Sequence, residues 1–430
     1  MRCHSTRNAT REVGLSQALK DGLASDGGLY VPERLVPVSV EQLAATAGLA
    51  PLACELLAPY FAGDALARDL AAIAGEAFSF EAPLVPLAAD DDLAVLELFH
   101  GPTAAFKDFG ARFLAASFAR IPKGGRPLTI LVATSGDTGG AVASAFHRRS
   151  GVRVVVLYPR GLVSPRQEQQ LTCWGENVTS YAVRGTFDDC QALVKSAFAD
   201  PQLTTRLELS SANSINIGRL LPQVVYYAHA SLMTWRRTGS KANVVVPSGN
   251  LGNVLACVWA RQMGLPIGTI VLAHNANRTV PDYFASGVWE PRPSIPTIAS
   301  AMDVGNPSNM ERLRDLYPAW ESVKGALRAD TVSDADIRER IRVDYTRYRR
   351  VWCPHTAVAA ESYARLSRAE RAAGPWILVA TAHPAKFPEI VEPLIGAELP
   401  VPEPLARLLE LPRQVAELEP RLDALRDALA

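Results

Sequence analysis

One lysine stands out among the residues that could do chemistry. Residues 99–113, FHGPTAAFKDFGARF, place Lys107 between two phenylalanines shortly after a Gly-Pro turn. The chain has seven lysines against 37 arginines, so an ammonium group in this apolar run is unusual. Burial and the positive end of a helix beginning near Asp108 both lower the pKa of an amine, and a neutral amine is a nucleophile, which arginine is not. Lys107 is therefore a candidate nucleophile. A lysine paired with Asp108 at a helix start is the structural alternative.

Two Gly-rich turns between a strand and a helix are candidates for binding anions. SGNLGN (248–253) and TSGDTGG (134–140) each follow an apolar run and precede a helical segment, whose first N–H groups lack partners. In SGNLGN the two glycines let the backbone close around a phosphate. TSGDTGG adds the hydroxyls of Ser135 and Thr138 and suits a carboxylate or a phosphate. Neither turn has the sequence of a nucleotide-binding loop, and a tight turn with a helix cap is the alternative for both.

A desolvated lysine together with a phosphate-binding turn is the combination that pyridoxal phosphate needs. The amine bonds to the aldehyde of the cofactor, and the turn holds its phosphate. We therefore expect a pyridoxal phosphate site that combines Lys107 with residues 248–253.

The elements that position these residues alternate between strand and helix. Strands followed by helices are predicted within 127–146, 152–171 and 242–264, with shorter strands at 93–99, 269–274 and the start of 375–387. Continuous apolar strands separated by helices favour parallel sheets covered on both faces. We predict an α/β fold with doubly wound parallel sheets in two lobes. Ala and Leu at helical spacing predict an extra, mostly helical N-terminal domain over residues 1–85.

Composition makes a small molecule the expected partner. The 430 residues are 48% hydrophobic, which allows two or three domains with sizeable cores. Forty-four basic residues balance 44 acidic ones without long runs, so we expect no binding to nucleic acid or to a membrane surface. No stretch approaches the roughly 18 apolar residues of a membrane span. Six scattered cysteines and the lack of a secretory leader favour a reducing, cytoplasmic setting, and we expect no metal site.

Six motifs carry a resemblance to a known family. In chain order they are HGPTAAFKDFGARF, ATSGDTGGAVA, SANSINIGRLLPQ, VPSGNLGN, AMDVGNPSN and ATAHPAKF. Together with the opening segment 5–33, they resemble the threonine synthases, which are tryptophan-synthase-β-like (fold type II) pyridoxal phosphate enzymes. The similarity covers essentially the whole chain. It implies a large cofactor-binding domain formed by 86–125 and 215–430 and a small α/β domain formed by 126–214.

The resemblance also implies which residues hold the cofactor. Lys107 would form the covalent bond to pyridoxal phosphate, and Thr381, at the end of a strand, would hydrogen-bond the pyridine nitrogen. Asp137 is assigned to the cofactor side, because an aspartate facing a substrate anion is repulsive unless it points away or is protonated. The cofactor phosphate would be cradled by Gly249, Asn250, Leu251, Gly252 and Asn253. The family usually has phenylalanine where Leu251 stands, which should matter little because the backbone makes the contacts.

The implied substrate, O-phospho-L-homoserine, carries two anions of its own, so the site needs two further anion-binding positions. Ser135 and Thr138 offer one of them. The segment with Ser214, Asn216 and Arg219 offers the other, where the guanidinium can bind a phosphate through two N–H groups. A helix cap is the alternative for this segment. Lys386 is a further candidate for substrate contact, and the sequence does not decide which anion occupies which position.

The implied reaction converts O-phospho-L-homoserine and water to L-threonine and phosphate. Lys107 would carry the protons, beginning with the one at Cα. The expected protein is thus a pyridoxal-phosphate-dependent carbon-oxygen lyase of threonine biosynthesis that acts on a phosphate ester. We expect it to be a monomer or a homodimer.

Two other functions stay open at this point. A fold type II lyase or deaminase acting on a hydroxy or phosphorylated amino acid would share Lys107 and the cofactor turn. A deaminase has no leaving phosphate, so it would not need a second phosphate site around Arg219. A non-catalytic binding protein on the same scaffold would lose Lys107 or the phosphate turn, and this chain keeps both.

Overall fold

The N-terminal domain combines helices with a small antiparallel sheet. The structure is a computed structural model that describes residues 1–87, 90–122 and 125–430. The elements of this domain are β1 (Arg2–Ser5), β2 (Asn8–Gly14), α1 (Leu15–Asp21), β3 (Tyr30–Pro32), α2 (Val40–Ala44), α3 (Leu49–Phe61) and α4 (Leu70–Ala77). Strand β1 pairs with both β2 and β3. The prediction of a mostly helical domain missed this sheet, because β2 has no buried residue and so lacks the apolar alternation of a half-buried strand.

The next elements along the chain belong first to the large lobe and then to the small one. They are β4 (Leu84–Leu87), β5 (Asp90–Glu97), α5 (Lys107–Phe118), β6 (Leu128–Ala133), α6 (Asp137–Phe146), β7 (Val152–Pro159), α7 (Pro165–Thr172), β8 (Val178–Val183), α8 (Phe187–Ala199), α9 (Pro201–Arg206) and β9 (Glu208–Ser211). Helix α7 begins with a capping box. Ser164 Oγ accepts a hydrogen bond from the backbone N–H of Gln167, and the Gln167 side chain accepts one from the backbone N–H of Ser164. Pro165 occupies the first position of the helix.

The chain then returns to the large lobe. Its elements are α10 (Ile217–Leu220), α11 (Val224–Thr238), β10 (Ala242–Pro247), α12 (Gly252–Gln262), β11 (Ile267–His274), α13 (Thr279–Ser286), α14 (Met310–Leu316), α15 (Trp320–Ala326), β12 (Arg328–Thr331), α16 (Asp334–Tyr348), α17 (Pro354–Ala364), α18 (Arg368–Arg371), β13 (Trp376–Ala380), α19 (Pro388–Ile395), α20 (Glu403–Leu409), β14 (Ala416–Leu418) and α21 (Leu422–Ala428). Short 3₁₀ turns lie at Ala67–Asp69, Leu221–Gln223, Ser300–Met302 and Pro384–Lys386.

Two parallel sheets form the centres of the two lobes. The large sheet has the order β12-β11-β10-β13-β5-β4, and its strands are parallel except for β4. The small sheet has the order β14-β8-β7-β6-β9 and is parallel throughout. Every residue of β10 and β13 is buried, as the continuous apolar runs predict for strands covered on both faces. This confirms the predicted α/β architecture.

The end of the chain packs on the small lobe. Strand β14 pairs with β8 of the small sheet, and α21 packs against α8. This differs from the expected assignment of residues 215–430 to the large domain. A strand of three residues carries little signal of its own, and its partner lies more than 200 residues earlier in the chain. Among the described residues, no helix has both the length and the apolar composition for crossing a lipid bilayer.

The C-terminal helix should therefore stabilise the small lobe. Leu425 is fully buried in an apolar cluster with Val183, Leu193 and Leu418. Leu425→Ala leaves a cavity there, and we expect it to lower the free energy of unfolding by about 2–4 kcal/mol. Urea denaturation followed by circular dichroism measures the change. Leu411→Ala is the control, because Leu411 is 41% exposed. Equal midpoints for the two variants would show that the C-terminal helix does not contribute to this core.

Candidate active site

A cleft lies at the carboxyl ends of the strands, where parallel sheets place their ligand-binding turns. It encloses about 880 Å³ of empty space, part of it open to solvent, which is enough for a cofactor and a small substrate. Twelve residues of the predicted site line it: Lys107, Ser135, Asp137, Thr138, Ser214, Arg219, Gly249, Asn250, Leu251, Gly252, Asn253 and Thr381. The other two predicted residues, Asn216 and Lys386, are not among the residues that line the cleft.

Lys107 is the first residue of α5, and its side chain is only 16% exposed. Its Nζ lies 3.9 Å from Asp137 Oδ2 and 4.9 Å from the centre of the Phe106 ring. Burial lowers the pKa of Lys107 to about 8, and the positive charges of Lys386 and Arg219 act in the same direction. The expected alternative, a pair with Asp108, is not formed, because Asp108 accepts hydrogen bonds from the backbone and hydroxyl of Thr103. A substantial fraction of the Lys107 amine is thus neutral near physiological pH.

Asp137, the first residue of α6, is the anion nearest to this amine. Its Oδ1 lies 2.8 Å from Lys386 Nζ and accepts a hydrogen bond of 2.9 Å from Gln167 Nε2. Burial acts to raise the pKa of Asp137, but the ammonium groups of Lys386 and Lys107 outweigh it and hold this pKa well below its ordinary value. Asp137 is therefore a carboxylate whose charge is matched by lysine.

The turn at 248–252 has the backbone geometry of an anion cradle. Leu251 adopts the left-handed conformation with φ of 62°, and the 11-residue helix α12 begins directly after it. A Cβ on Gly249 would come within 2.8 Å of the Met302 backbone, so this position requires glycine. The first N–H groups of α12 lack partners within the helix, and Gly252 and Asn253, which begin it, line the cleft.

Asn253 adds a side-chain donor to this cradle. Its Oδ1 accepts hydrogen bonds from the hydroxyls of Tyr226 and Tyr227, at 2.6 and 2.8 Å. Burial raises the pKa of each tyrosine well above the ordinary value for a phenol, so both hydroxyls keep their protons and can donate hydrogen bonds. With Oδ1 fixed in this way, Nδ2 is buried and has no hydrogen-bond partner among the described residues. A buried donor without a partner at a phosphate-sized turn fits a bound anion.

The segment 211–219 brings the buried guanidinium of Arg219 to the lining of the cleft. Arg219 is 2% exposed, donates from Nη1 to the Ala212 carbonyl, and has no partner for Nε among the described residues. Burial lowers the pKa of Arg219 to about 10. Asn216 instead caps α10. It accepts from the backbone N–H of Gly218 and donates to the carbonyls of Leu19 and Ser211, so its amide is committed to holding the loop.

Lys386 is also committed away from the cleft. It is fully buried, and its Nζ donates to the Thr103 carbonyl at 2.8 Å in addition to its contact with Asp137. The structure therefore does not bring Lys386 into position for the substrate contact that the sequence predicts. The motif ATAHPAKF marks this lysine, but only the fold shows that it lies behind Asp137.

Sequence reasoning missed His355, which lines the cleft near the start of α17. Its Nε2 accepts from the backbone N–H of Ala301 at 3.0 Å, and Nδ1 has no partner among the described residues. Burial lowers the pKa of His355 to about 4, so the ring is neutral and carries its proton on Nδ1. The only local signal is the segment CPHT (353–356), which also fits an ordinary helix start.

The residues present fit pyridoxal phosphate. The cofactor needs a reactive amine, a cradle for its phosphate and a hydrogen-bonding group for its ring nitrogen. Lys107, the turn at 248–253 with the unpartnered Asn253 Nδ2, and the threonine at the end of β13 supply these three groups within one cleft. In the described ranges, no group of three or more His, Cys, Asp or Glu side chains could hold a metal ion.

Comparison with known families agrees with this geometry. Residues 80–381 match the family of pyridoxal-phosphate dependent enzymes. Residues 2–78 match the threonine synthase N terminus, and residues 356–429 match the threonine synthase C-terminal region. The three matches together span nearly the whole chain.

Individual relatives agree over their full lengths. The chain is 39% identical to the threonine synthase of Haemophilus influenzae, with 97% of each chain covered, and 39% identical to that of Escherichia coli, with 99% and 98% covered. The crystal structure of threonine synthase from Escherichia coli superposes with a TM-score of 0.92 at 37% identity, over 100% of this chain and 99% of that one. A pyridoxal-phosphate-bound threonine synthase from Brucella melitensis gives 0.88 at 33% identity, covering 100% and 98%. The chain therefore belongs to the threonine synthase family of pyridoxal-phosphate-dependent enzymes.

Proposed function

We propose that this protein converts O-phospho-L-homoserine and water to L-threonine and phosphate. The observation that carries the proposal is the lining of one cleft, which brings the amine of Lys107 together with two separate groups suited to a phosphate, the turn at 248–253 and the guanidinium of Arg219. The first serves the phosphate of the cofactor, and the second serves the phosphate of the substrate. A deaminase acting on an unphosphorylated amino acid would have no use for the second.

The cofactor is held by three parts of the large lobe. The backbone of Gly249–Gly252 and the amide of Asn253 would bind its phosphate. The Thr381 hydroxyl would form a hydrogen bond with its ring nitrogen. When bound, pyridoxal phosphate supplies an aldehyde for amines and a conjugated ring that accepts the electrons released at Cα. Lys107 supplies the amine, and with a pKa of about 8 it can both accept and return a proton at working pH.

The substrate anions are met by the N-terminal turn of α6 and by Arg219. Ser135 and Thr138 flank the start of α6, where free N–H groups and hydroxyls suit the carboxylate. Arg219 and Ser214 lie on the other segment of the cleft lining and suit the phosphate. Asn216 acts indirectly by capping the helix that carries Arg219.

Lys386 acts through Asp137 instead of touching the substrate. Two lysine side chains share one carboxylate, because Asp137 Oδ1 contacts Lys386 and Oδ2 faces Lys107. Without Lys386, the charge of Asp137 would act on Lys107 alone and favour its protonated form. Lys386 thereby keeps the Lys107 amine available.

The cysteines bear on the compartment in which the enzyme works. All six cysteines are free thiols, which favours the expected reducing, cytoplasmic location. The division into an N-terminal domain, a large domain and a small domain is supported by the separate sheets. The oligomeric state, monomer or homodimer, stays a prediction.

Incubating the purified protein with O-phospho-L-homoserine tests the proposal directly. We expect equal amounts of phosphate and threonine, measured by a phosphate assay and by chromatography. Release of a 2-oxo acid with the phosphate would identify a phospho-lyase instead, and no release would contradict an enzymatic role on this substrate.

Lys107→Ala should abolish both turnover and the visible absorption of the lysine-bound cofactor, because it removes the amine that bonds to the aldehyde. Steady-state kinetics and an absorption spectrum measure the two effects. A variant that still turns over would refute the role of Lys107.

Arg219→Gln should weaken substrate recognition while leaving the cofactor in place. Losing a charge-assisted contact to phosphate should lower kcat/KM by roughly 100-fold, with the affinity for pyridoxal phosphate little changed. Steady-state kinetics and a cofactor titration measure the two effects. Arg236→Gln, on the exposed end of α11, is the matched control. If kcat/KM stayed at the wild-type value, Arg219 would not be the phosphate contact.

Lys386→Met should change the pH dependence of cofactor attachment. In the wild type, the rate at which pyridoxal phosphate bonds to the cofactor-free protein should rise with pH and level off above about 8, as Lys107 loses its proton. Removing Lys386 leaves Asp137 to stabilise the protonated form of Lys107, so the midpoint should move to higher pH. Stopped-flow absorbance at a series of pH values measures it. Lys195→Met, an exposed lysine on α8, should not move the midpoint. An unchanged midpoint in Lys386→Met would rule out this coupling.

A further inference from the structure

A fully buried arginine lies behind the two anion-binding segments of the cleft. Arg312 is on α14, is 1% exposed, and is not among the residues that line the cleft. The sequence does not single out Arg312, because the chain has 37 arginines and the helix that carries this one has an ordinary composition. Its contacts set it apart.

Arg312 joins three separate parts of the chain. Its Nη1 donates to the Ser214 carbonyl at 3.1 Å, and its Nη2 donates to the Ile215 carbonyl at 2.6 Å. Its Nε donates to the carbonyl of Tyr30, in β3 of the N-terminal domain, at 3.0 Å. Nη1 also donates to Asn309 Oδ1 at 2.7 Å.

Asn309 connects Arg312 to the phosphate cradle. With its Oδ1 held by Arg312, the amide is oriented so that Nδ2 donates to the Asn250 carbonyl at 2.9 Å and to Ser214 Oγ at 3.2 Å. Asn250 in turn donates from Nδ2 to Ser214 Oγ at 2.8 Å, and its Oδ1 accepts from the Ser308 backbone at 2.6 Å. The cofactor cradle and the segment leading to Arg219 are thereby fixed to each other through one guanidinium.

The N-terminal domain contributes a second contact beside the first. The neighbouring residue, Glu311, accepts from Thr6 Oγ1 at 2.6 Å and from two nitrogens of Arg7 at 3.0 and 3.1 Å. Two consecutive residues of α14 are therefore bound to the small antiparallel sheet. The anchoring of the cleft extends into a domain that supplies no residue to its lining.

Stability alone is a poor explanation for this arginine. Burying a guanidinium removes it from water, and a well-packed apolar side chain of similar volume often serves a core as well or better. All the hydrogen bonds of the Arg312 guanidinium go to neutral carbonyl and amide oxygens, and the carboxylates of Glu311 and Asp315 act on its charge without forming an ion pair among the described residues. The guanidinium does supply a rigid set of N–H donors, which holds three backbone carbonyls and the side-chain amide of Asn309 in a fixed geometry.

We propose that Arg312 is a positioning residue that holds the cofactor cradle and the substrate-phosphate segment in register, using the N-terminal domain as its support. It touches neither cofactor nor substrate. Its effect is to fix Asn250, Ser214 and the loop that carries Arg219 relative to one another, so that binding of the two phosphates does not have to order them.

The test is Arg312→Met, which keeps the length of the side chain and removes its donors. We expect the dissociation constant for pyridoxal phosphate to rise roughly tenfold or more, with a similar rise in KM and a smaller change in kcat. Arg312→Lys, which can restore some of the contacts, should fall between Met and wild type. Fluorescence titration of the cofactor-free protein measures cofactor affinity independently of turnover.

The matched control is Arg261→Met. Arg261 also bridges backbone carbonyls, those of Gly268 and Ala326, but at the far end of α12 from the cradle. A purely structural role predicts that both Met variants lose stability and neither changes affinity beyond roughly twofold at a temperature where both are folded. That result would overturn the proposal, whereas a loss of affinity confined to Arg312→Met supports it.

Asn309→Ala provides a second route if Arg312→Met does not fold. It removes the amide that connects Arg312 to Asn250, so it should weaken cofactor binding in the same direction, and its effect should be non-additive with that of Arg312→Lys. Full additivity would contradict a shared network. The KM measurement rests on the proposed function, but the cofactor titration does not, so failure of the substrate assignment would leave the cofactor result standing.

Discussion

The site depends on lowering the pKa of a buried amine that lies beside a buried carboxylate. An isolated amine in an apolar pocket loses its proton because the charged form is poorly solvated, whereas a carboxylate at close range restores it. Asp137 lies 3.9 Å from Lys107 and would act in this second way on its own. Its shorter contact with Lys386 and its hydrogen bond from Gln167 draw its charge toward the other side. The reactive lysine, the paired lysine and the start of α6 therefore work as one electrostatic unit.

The two anion-binding turns of this cleft share one structural feature: each lies where a helix starts after a parallel strand. Both Gly-rich turns follow central strands, β6 and β10, and both lead into helices of ten or more residues. Because the strands are parallel, these helix starts fall at the same edge of their sheets. The side chains then add selectivity: a tyrosine pair orients Asn253 in one turn, while hydroxyls flank the start of the other.

Local sequence patterns predicted the parts of the fold and site that depend on neighbours in the chain. The apolar strands and the two Gly-rich turns are set by residues a few positions apart, and both are found as expected. Lys386, His355 and Arg312 could not be placed in this way. Their positions are set by partners far away in the chain, such as Thr103 for Lys386, Tyr30 for Arg312 and Ala301 for His355. The exposed strand β2 and the three-residue strand β14 were missed for a different reason, since neither buries an alternating apolar face.

The position of β14 has a consequence for synthesis on the ribosome. The small sheet ends at β8 until residues 416–418 pair with it, and these residues are made more than 200 residues after β8. Throughout translation of the large lobe, the edge of β8 is therefore open, and an open strand edge is a template for pairing with other chains. This exposure of the nascent small lobe lasts until the segment 416–418 has left the exit tunnel and paired with β8.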